Sequence, residues 1–177
     1  MKKLIILSAF LFCFTIISCN ESVKENAVVN KEDAIEYNDF LATSIDPVIT
    51  KMLDFEEALF VADNEKIKAL YAELISITLE TRKKISERPA FDGNETFKNS
   101  LLEIMNFYTT VAEKDYSRII QLIESENELS QEVSDKIEEI LTTIYDRENE
   151  YYINFEKEVS LYAKKYNLEV NELNESY

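Results

Sequence analysis

Four long stretches of this chain repeat apolar residues at alternating steps of three and four, with polar residues between. In the first, Ala34, Leu41, Ile45, Val48, Met52, Phe55 and Leu59 share one face, and Asn38 fills the single gap. A seam of that period predicts an amphipathic helix. The second stretch carries Ile67, Leu70, Leu74, Ile77, Thr81 and Ile85. The third carries Phe97, Leu101, Ile104, Tyr108, Val111, Ile119 and Leu122. The fourth runs through Val133, Ile137, Leu141, Ile144, Tyr151, Phe155 and Tyr162 to about Tyr166.

The breaks between the seams carry helix-end chemistry. Asn30, with Asp33 three residues on, predicts an N-cap and an acidic first turn. Ala62-Asp63-Asn64 predicts a short turn, and Pro89 ends the second helix. Asp92-Gly93-Asn94-Glu95 holds the only glycine and a D-x-x-E start signal. Ser125 to Ser130 break the third seam from the fourth. Pro47 falls inside the first seam, where it removes one N–H and crowds the preceding turn. Because the seam keeps its register from Ile45 to Val48, the expectation is one kinked, continuous helix.

One Gly, two Pro and 46% hydrophobic residues leave too few turn residues for a sheet protein. The predicted class is all-α. Helices of roughly 25 to 37 residues would be about 38 to 55 Å long, and short connections make neighbours antiparallel. An up-down-up-down four-helix bundle over residues 30–166, with a polar tail over 167–177, is the expected architecture.

The first nineteen residues have a different logic. Met1-Lys2-Lys3 precedes an apolar run from Leu4 to Ile17 interrupted only by Ser8 and Thr15. A charged start, a run of that length and a small residue after it predict a secretory signal. The run is shorter than the roughly 20 residues that span a bilayer. Ile16-Ile17-Ser18-Cys19 resembles the lipobox of bacterial lipoproteins. That resemblance implies cleavage after Ser18, so that residues 1–18 are the signal peptide, and lipid on Cys19. Cys13 would leave with the signal, and no cysteine follows Cys19 to pair with it. Two or more acyl chains hold a protein on a membrane firmly, whereas one holds it marginally. Residues 19–29 read as a lipidated, flexible tether. Asn20 is not the acidic residue associated with inner-membrane retention, so the expected location is the envelope of a Gram-negative cell, on the outer membrane, with periplasmic and surface-facing orientations both open.

Without Lys2 and Lys3, 17 of the 19 basic residues face 35 acids, a formal net charge of −18. A nucleic-acid partner needs a basic face, and none is expected. The same charge repels anionic headgroups, so the lipid on Cys19 rather than the protein surface supplies the membrane attachment. A protein partner with a basic surface fits this charge. Solubility alone also explains it.

Tyr37-Asn38-Asp39, FDGNETF at 91–97, NFY at 106–108 and AKKYN at 163–167 resemble a family of small bacterial surface lipoproteins of unknown function. The likeness covers about residues 34–168. It implies a four-helix domain behind a lipid anchor, with no assigned activity or site.

Catalytic chemistry is scarce. With no histidine, the usual general base and the usual transition-metal ligand are both missing. Ferritin-like di-iron bundles depend on Glu-x-x-His pairs. No enzyme activity, cofactor or metal is expected. Asp92 to Glu103 places Asp, Asn, Thr and Glu as a calcium loop does, but Phe97 stands where that loop requires glycine. A capped helix start explains the same residues.

Two polar features remain. Asn38, Asp115 and Glu148 lie on the apolar seams and are candidates for a buried polar layer. Glu148 is expected near the level of Tyr108, Thr78 and Thr81, with Arg82 or Arg147 as its cation. Such a layer either fixes helix register or lines a small pocket for a cation or polar ligand. Tyr145, Tyr152 and Tyr166 share one heptad position beside the fourth seam. They read as half-buried packing or as a contact surface. The expected role is a lipid-anchored interaction or structural module, with small-ligand or cation binding as the alternative.

Overall fold

The computed structural model describes residues 30–61, 64–125 and 130–168. The signal peptide, Cys19 with its tether, the Ala62-Asp63 turn and the end of the tail lie outside the described residues. Every regular element among the described residues is a helix, so the protein is all-α. The elements are α1 (Lys31–Ser44), α2 (Asp46–Val61), α3 (Asn64–Glu87), α4 (Thr96–Thr110), a π-helical turn (Val111–Tyr116), α5 (Ser117–Ser125) and α6 (Gln131–Tyr166).

The caps follow from local chemistry. Asn30 accepts the Asp33 N–H at 2.7 Å, with Glu32 and Asp33 in the first turn of α1. Ser130 caps α6 by accepting the Val133 N–H at 3.4 Å. At the far end of α6, Asn167 adopts the left-handed conformation, φ 54°, and the Leu168 N–H reaches back to the Ala163 carbonyl at 2.9 Å. That closure answers carbonyls that the helix end would otherwise leave open.

Pro47 does more than kink the first helix. The helix stops at Ser44, bends at Ile45 and restarts at Asp46, so α1 and α2 are two helices where one was expected. The cause is the one foreseen: proline cannot donate and its ring crowds the turn before it. Ile45 keeps right-handed helical angles, and its carbonyl accepts from Val48 at 2.9 Å and Ile49 at 3.2 Å. The apolar face therefore passes through the break, and Leu41, Ile45, Val48 and Phe55 are all buried.

The start of α4 also differs from its expected chemistry. Phe91 to Asn94 form a tight turn in which Asp92 (φ 50°) and Gly93 (φ 80°) both take positive φ. That is the type I′ geometry that Asp-Gly favours. Asp92 accepts from the Asn94 N–H at 3.2 Å, and Asn94 accepts from the Thr96 N–H at 2.9 Å. Glu95 makes no side-chain cap. A stepped pair of turn bonds thus replaces the predicted capping box.

Inter-helix partners occur in reversed order along the chain. Between α3 and the third stretch, Arg82 meets Asn106 and Lys68 meets Glu124. Between the third stretch and α6, Glu103 meets Asn154 and Asp115 meets Arg147. The first stretch meets α6 at Ala34–Tyr162 and Glu56–Tyr145. Apolar side chains from all four stretches form one core. At the end nearest Asn30 that core is aromatic, with Phe97 and Tyr162 ring centroids 4.8 Å apart and Tyr37 stacked on Phe91 at 5.2 Å. The backbones of α2–α3, α3–α4 and α4–α6 pack closely, and those of α2 and α6 less so.

Candidate functional site: a glutamate–tyrosine layer

Four tyrosines converge on two carboxylates. Glu56 on α2 is 7% exposed. Its Oε1 accepts the hydroxyl of Tyr116 at 2.5 Å, and its Oε2 accepts the hydroxyl of Tyr145 on α6. Glu148, also on α6, accepts the hydroxyl of Tyr108 on α4. The hydroxyls of Tyr108 and Tyr152 lie 2.9 Å apart. Two glutamates and four tyrosines from three helical stretches therefore form one layer.

The π-helical turn sets which residue joins it. On the third stretch the seam residues Leu101, Ile104, Tyr108, Val111, Tyr116, Ile119 and Ile123 are buried, with Ala112 buried beside Val111. Along the seam the steps are three or four except Val111 to Tyr116, which is five. A single wider turn takes up the extra residue and points Tyr116 inward. Asp115, expected on the seam, is carried to its edge, where Arg147 donates to it at 3.1 Å.

Electrostatics keep the tyrosines as donors. Burial raises the hydroxyl pKa of Tyr108 and Tyr116 far above the ordinary value near 10, and the neighbouring charges and hydrogen bonds push the same way. Burial raises that of Tyr145 as well, followed by its bond to Glu56. A phenol held neutral donates its proton to a carboxylate, and hydrogen bonds to a charged group are the stronger kind. For Glu148, burial raises the pKa; the Tyr108 bond opposes this and the charge of Glu56 adds to it, and the result is upward.

The cation foreseen for Glu148 is not its partner. Arg147 pairs with Asp115 and lies 5.1 Å over the Phe107 ring, and Arg82 donates to Asn106 at 3.2 Å. Tyr108 answers Glu148 instead. Thr78 and Thr81 are buried, and the Thr78 hydroxyl bonds the Leu74 carbonyl of its own helix at 2.7 Å. Asn38 is buried but separate: its side chain donates to Asp39 at 3.4 Å. Eighteen residues and the bend at Ile45 separate it from Glu56, at most about 27 Å at 1.5 Å per residue.

The heptad tyrosines each reach inward or across. Tyr145 and Tyr152 belong to the layer, while Tyr166 donates to Asp92 at the opposite end. Lys165 donates to the same carboxylate. Burial works against the charge on Asp92, but Lys165, Tyr166 and the Asn94 N–H together hold its pKa below the usual carboxylate range.

Glu56 and Tyr116 escaped the sequence reading. Glu56 flanks the seam between Phe55 and Leu59, and beside Glu57 it reads as solvated charge. For Tyr116 the signal was its place four residues after Ala112 and three before Ile119, next to the Asp115 seam position. Chemically, the layer can hold protons and fix the helices in register. Among the described residues, no group of three or more Asp, Glu, His or Cys side chains could hold a metal ion. No described helix is long and apolar enough to cross a membrane. No protein family, curated protein or solved structure matches the chain.

Proposed function

We propose that this protein is a lipid-anchored module of the bacterial cell envelope, held by a lipid on Cys19, whose role is protein interaction or structure rather than catalysis. Its architecture in this reading is an antiparallel up-down-up-down four-helix bundle. The reversed order of inter-helix partners, from Ala34–Tyr162 to Glu56–Tyr145, supports that arrangement. The likeness to small surface lipoproteins is of a piece with it.

The observation that carries the reading is the way the two interior glutamates are answered by tyrosines of the same chain. A layer closed in this manner ties helices together, as polar seam residues do when they fix register. What the domain presents outward is its negative charge, which suits a partner with a basic surface and speeds its encounter.

Expression in a bacterial host tests the anchor and the role together. Wild type should take up a palmitate analogue and sediment with membranes. Cys19→Ala should lose both. In-cell cross-linking should yield a defined partner of wild type. Equal labelling of the mutant would overturn the anchor, and cross-links without any recurring partner would overturn the interaction role.

A second reading is a cation or small polar ligand held in the layer by its two carboxylates, Glu56 and Glu148, with the tyrosine hydroxyls beside them. Titration calorimetry with calcium and magnesium decides it. Binding by wild type that disappears in Glu56→Gln and Glu148→Gln would establish it, and the absence of heat would remove it.

A further inference from the structure

We infer that the groove between α2 and the first half of α6 is a docking site for a basic amphipathic helix of a partner protein. This rests on the reading of the domain as an acidic interaction module and specifies where and what that module would bind.

The groove follows from the spacing of the helices. α2 and α6 meet through side chains, Glu56 with Tyr145, rather than through close backbone packing. A furrow of about 450 Å³ is left, lined by Leu59 from α2 and by Ser134, Ile137, Glu138, Leu141 and Tyr145 from α6. Ser134, Ile137, Leu141 and Tyr145 recur at steps of three and four, with Glu138 beside Ile137, so they form one straight wall. From Ser134 to Tyr145 that wall is about 17 Å long at 1.5 Å per residue, which matches three turns of a docked helix. The floor is apolar, and the Tyr145 hydroxyl fastens it to Glu56 across the gap. Helices recognised in grooves place apolar anchors at i, i+3, i+4 and i+7 into such a floor.

Charge selects the occupant. Asp46, Asp54, Glu56 and Glu57 on α2, with Glu132, Asp135, Glu138, Glu139, Asp146 and Glu148 on the first half of α6, are ten acids against three cations, Lys51, Lys136 and Arg147. All three cations are already engaged: Lys51 with Asp54 and Glu73, Lys136 with Glu132, and Arg147 with Asp115. A helix with lysine or arginine on its polar face meets this surface favourably, whereas an anionic lipid surface is repelled by it. A furrow open along its length also suits an extended helix better than an enclosed small molecule.

The test uses residues 30–177 without lipid, after circular dichroism has shown that wild type and every variant are folded. The probe is a synthetic leucine–lysine helix of about 16 residues with apolar positions at i, i+3, i+4 and i+7. A scrambled peptide of the same composition is the control. Fluorescence anisotropy should show the amphipathic peptide binding at least about tenfold tighter than the scramble, and weakening as salt rises. Thr142→Trp, at an exposed position on the groove wall, and Glu138→Lys, on its rim, should each weaken binding at least about fivefold. Glu156→Lys, with the same charge change elsewhere on α6, should weaken it less than twofold.

Equal effects of Glu138→Lys and Glu156→Lys would overturn the groove and leave acidic interaction in place. So would equal binding of the two peptides. No binding of either peptide would overturn both. Sedimentation that finds wild type dimeric and Thr142→Trp monomeric would assign the groove to a second copy and overturn the partner helix.

Discussion

Tyr116 and Glu56, sixty residues apart in sequence, are joined by a buried hydrogen bond of 2.5 Å that links the third helical stretch to the first. Tyr145 completes the same carboxylate from the fourth stretch. The two phenols differ in setting: Tyr116 is fully buried, while Tyr145 is half exposed. Water can replace the hydroxyl of Tyr145 but not that of Tyr116. Tyr116→Phe should therefore cost about 1.5–3 kcal/mol, the range for a hydrogen bond to a charged group. Tyr145→Phe should cost less than about 1 kcal/mol. Urea denaturation of both variants against wild type checks this, and equal costs would contradict the burial argument.

Glu148 predicts an unusual pH dependence. Its folded-state pKa is raised above the ordinary 4.5, chiefly by burial. The folded state then holds its proton more firmly than the unfolded state does. By linkage, stability falls as pH rises from about 4.5 through the raised folded value, and levels off above it. Glu148→Gln keeps an oxygen to accept from Tyr108 and removes the buried charge. The variant should equal wild type below pH 4.5 and become the more stable of the two as pH rises to 8. Had a cation partnered Glu148, removing the charge would instead have cost about 3–5 kcal/mol at neutral pH. Paired thermal melts at pH 4 and pH 8 separate these outcomes.

Much of this was legible in the sequence because helix formation here is governed by local periodicity. The seams, the Asn30 cap, the end of α6 at Tyr166 and the approach of Glu148 to Tyr108 all follow from counting turns. Partner choice was not legible in the same way. Arg147 looked available to Glu148, but a side chain's reach depends on its helix face, and Asp115 lies on the nearer side. Glu56 was hidden because one position beside a seam is buried or solvated according to how closely the next helix stands. The break at Ile45 was hidden because a helix kinked by proline and a helix restarted after it share one apolar register.

Gly93 offers a purely backbone test. It sits in the Phe91–Asn94 turn with φ 80°, and an added Cβ would meet nothing within 4 Å. Any cost of Gly93→Ala must come from the left-handed conformation itself, about 1–2 kcal/mol. Gly93→Asn should cost less, since asparagine tolerates that region. A thermal shift series in which alanine and asparagine destabilise equally would mean that the turn adjusts its shape instead. Because Asp92 in this turn receives Lys165 and Tyr166, the alanine variant should also loosen the end of α6, read as faster amide exchange near residues 163–166.

The π-helical turn makes the most specific prediction. Leu101, Ile104, Tyr108 and Val111 keep steps of three and four, and so do Tyr116, Ile119 and Ile123; the wider turn takes up the five-residue step between the two sets. Lys114 is exposed inside that step. Deleting it shortens the step to four, so the whole stretch can run as unbroken α-helix with every buried residue still facing the core. Tyr116 keeps its place opposite Glu56, and Asp115 keeps its place beside Arg147. The deletion should thus leave the melting midpoint unchanged or raised, and Tyr116→Phe in that background should still cost about 1.5–3 kcal/mol. π-helical turns recur at functional sites, so a deletion variant that is stable but loses partner or ligand binding would assign this turn to function. A deletion that unfolds the protein, or that abolishes the cost of Tyr116→Phe, would show that the extra residue is what aims Tyr116 at Glu56.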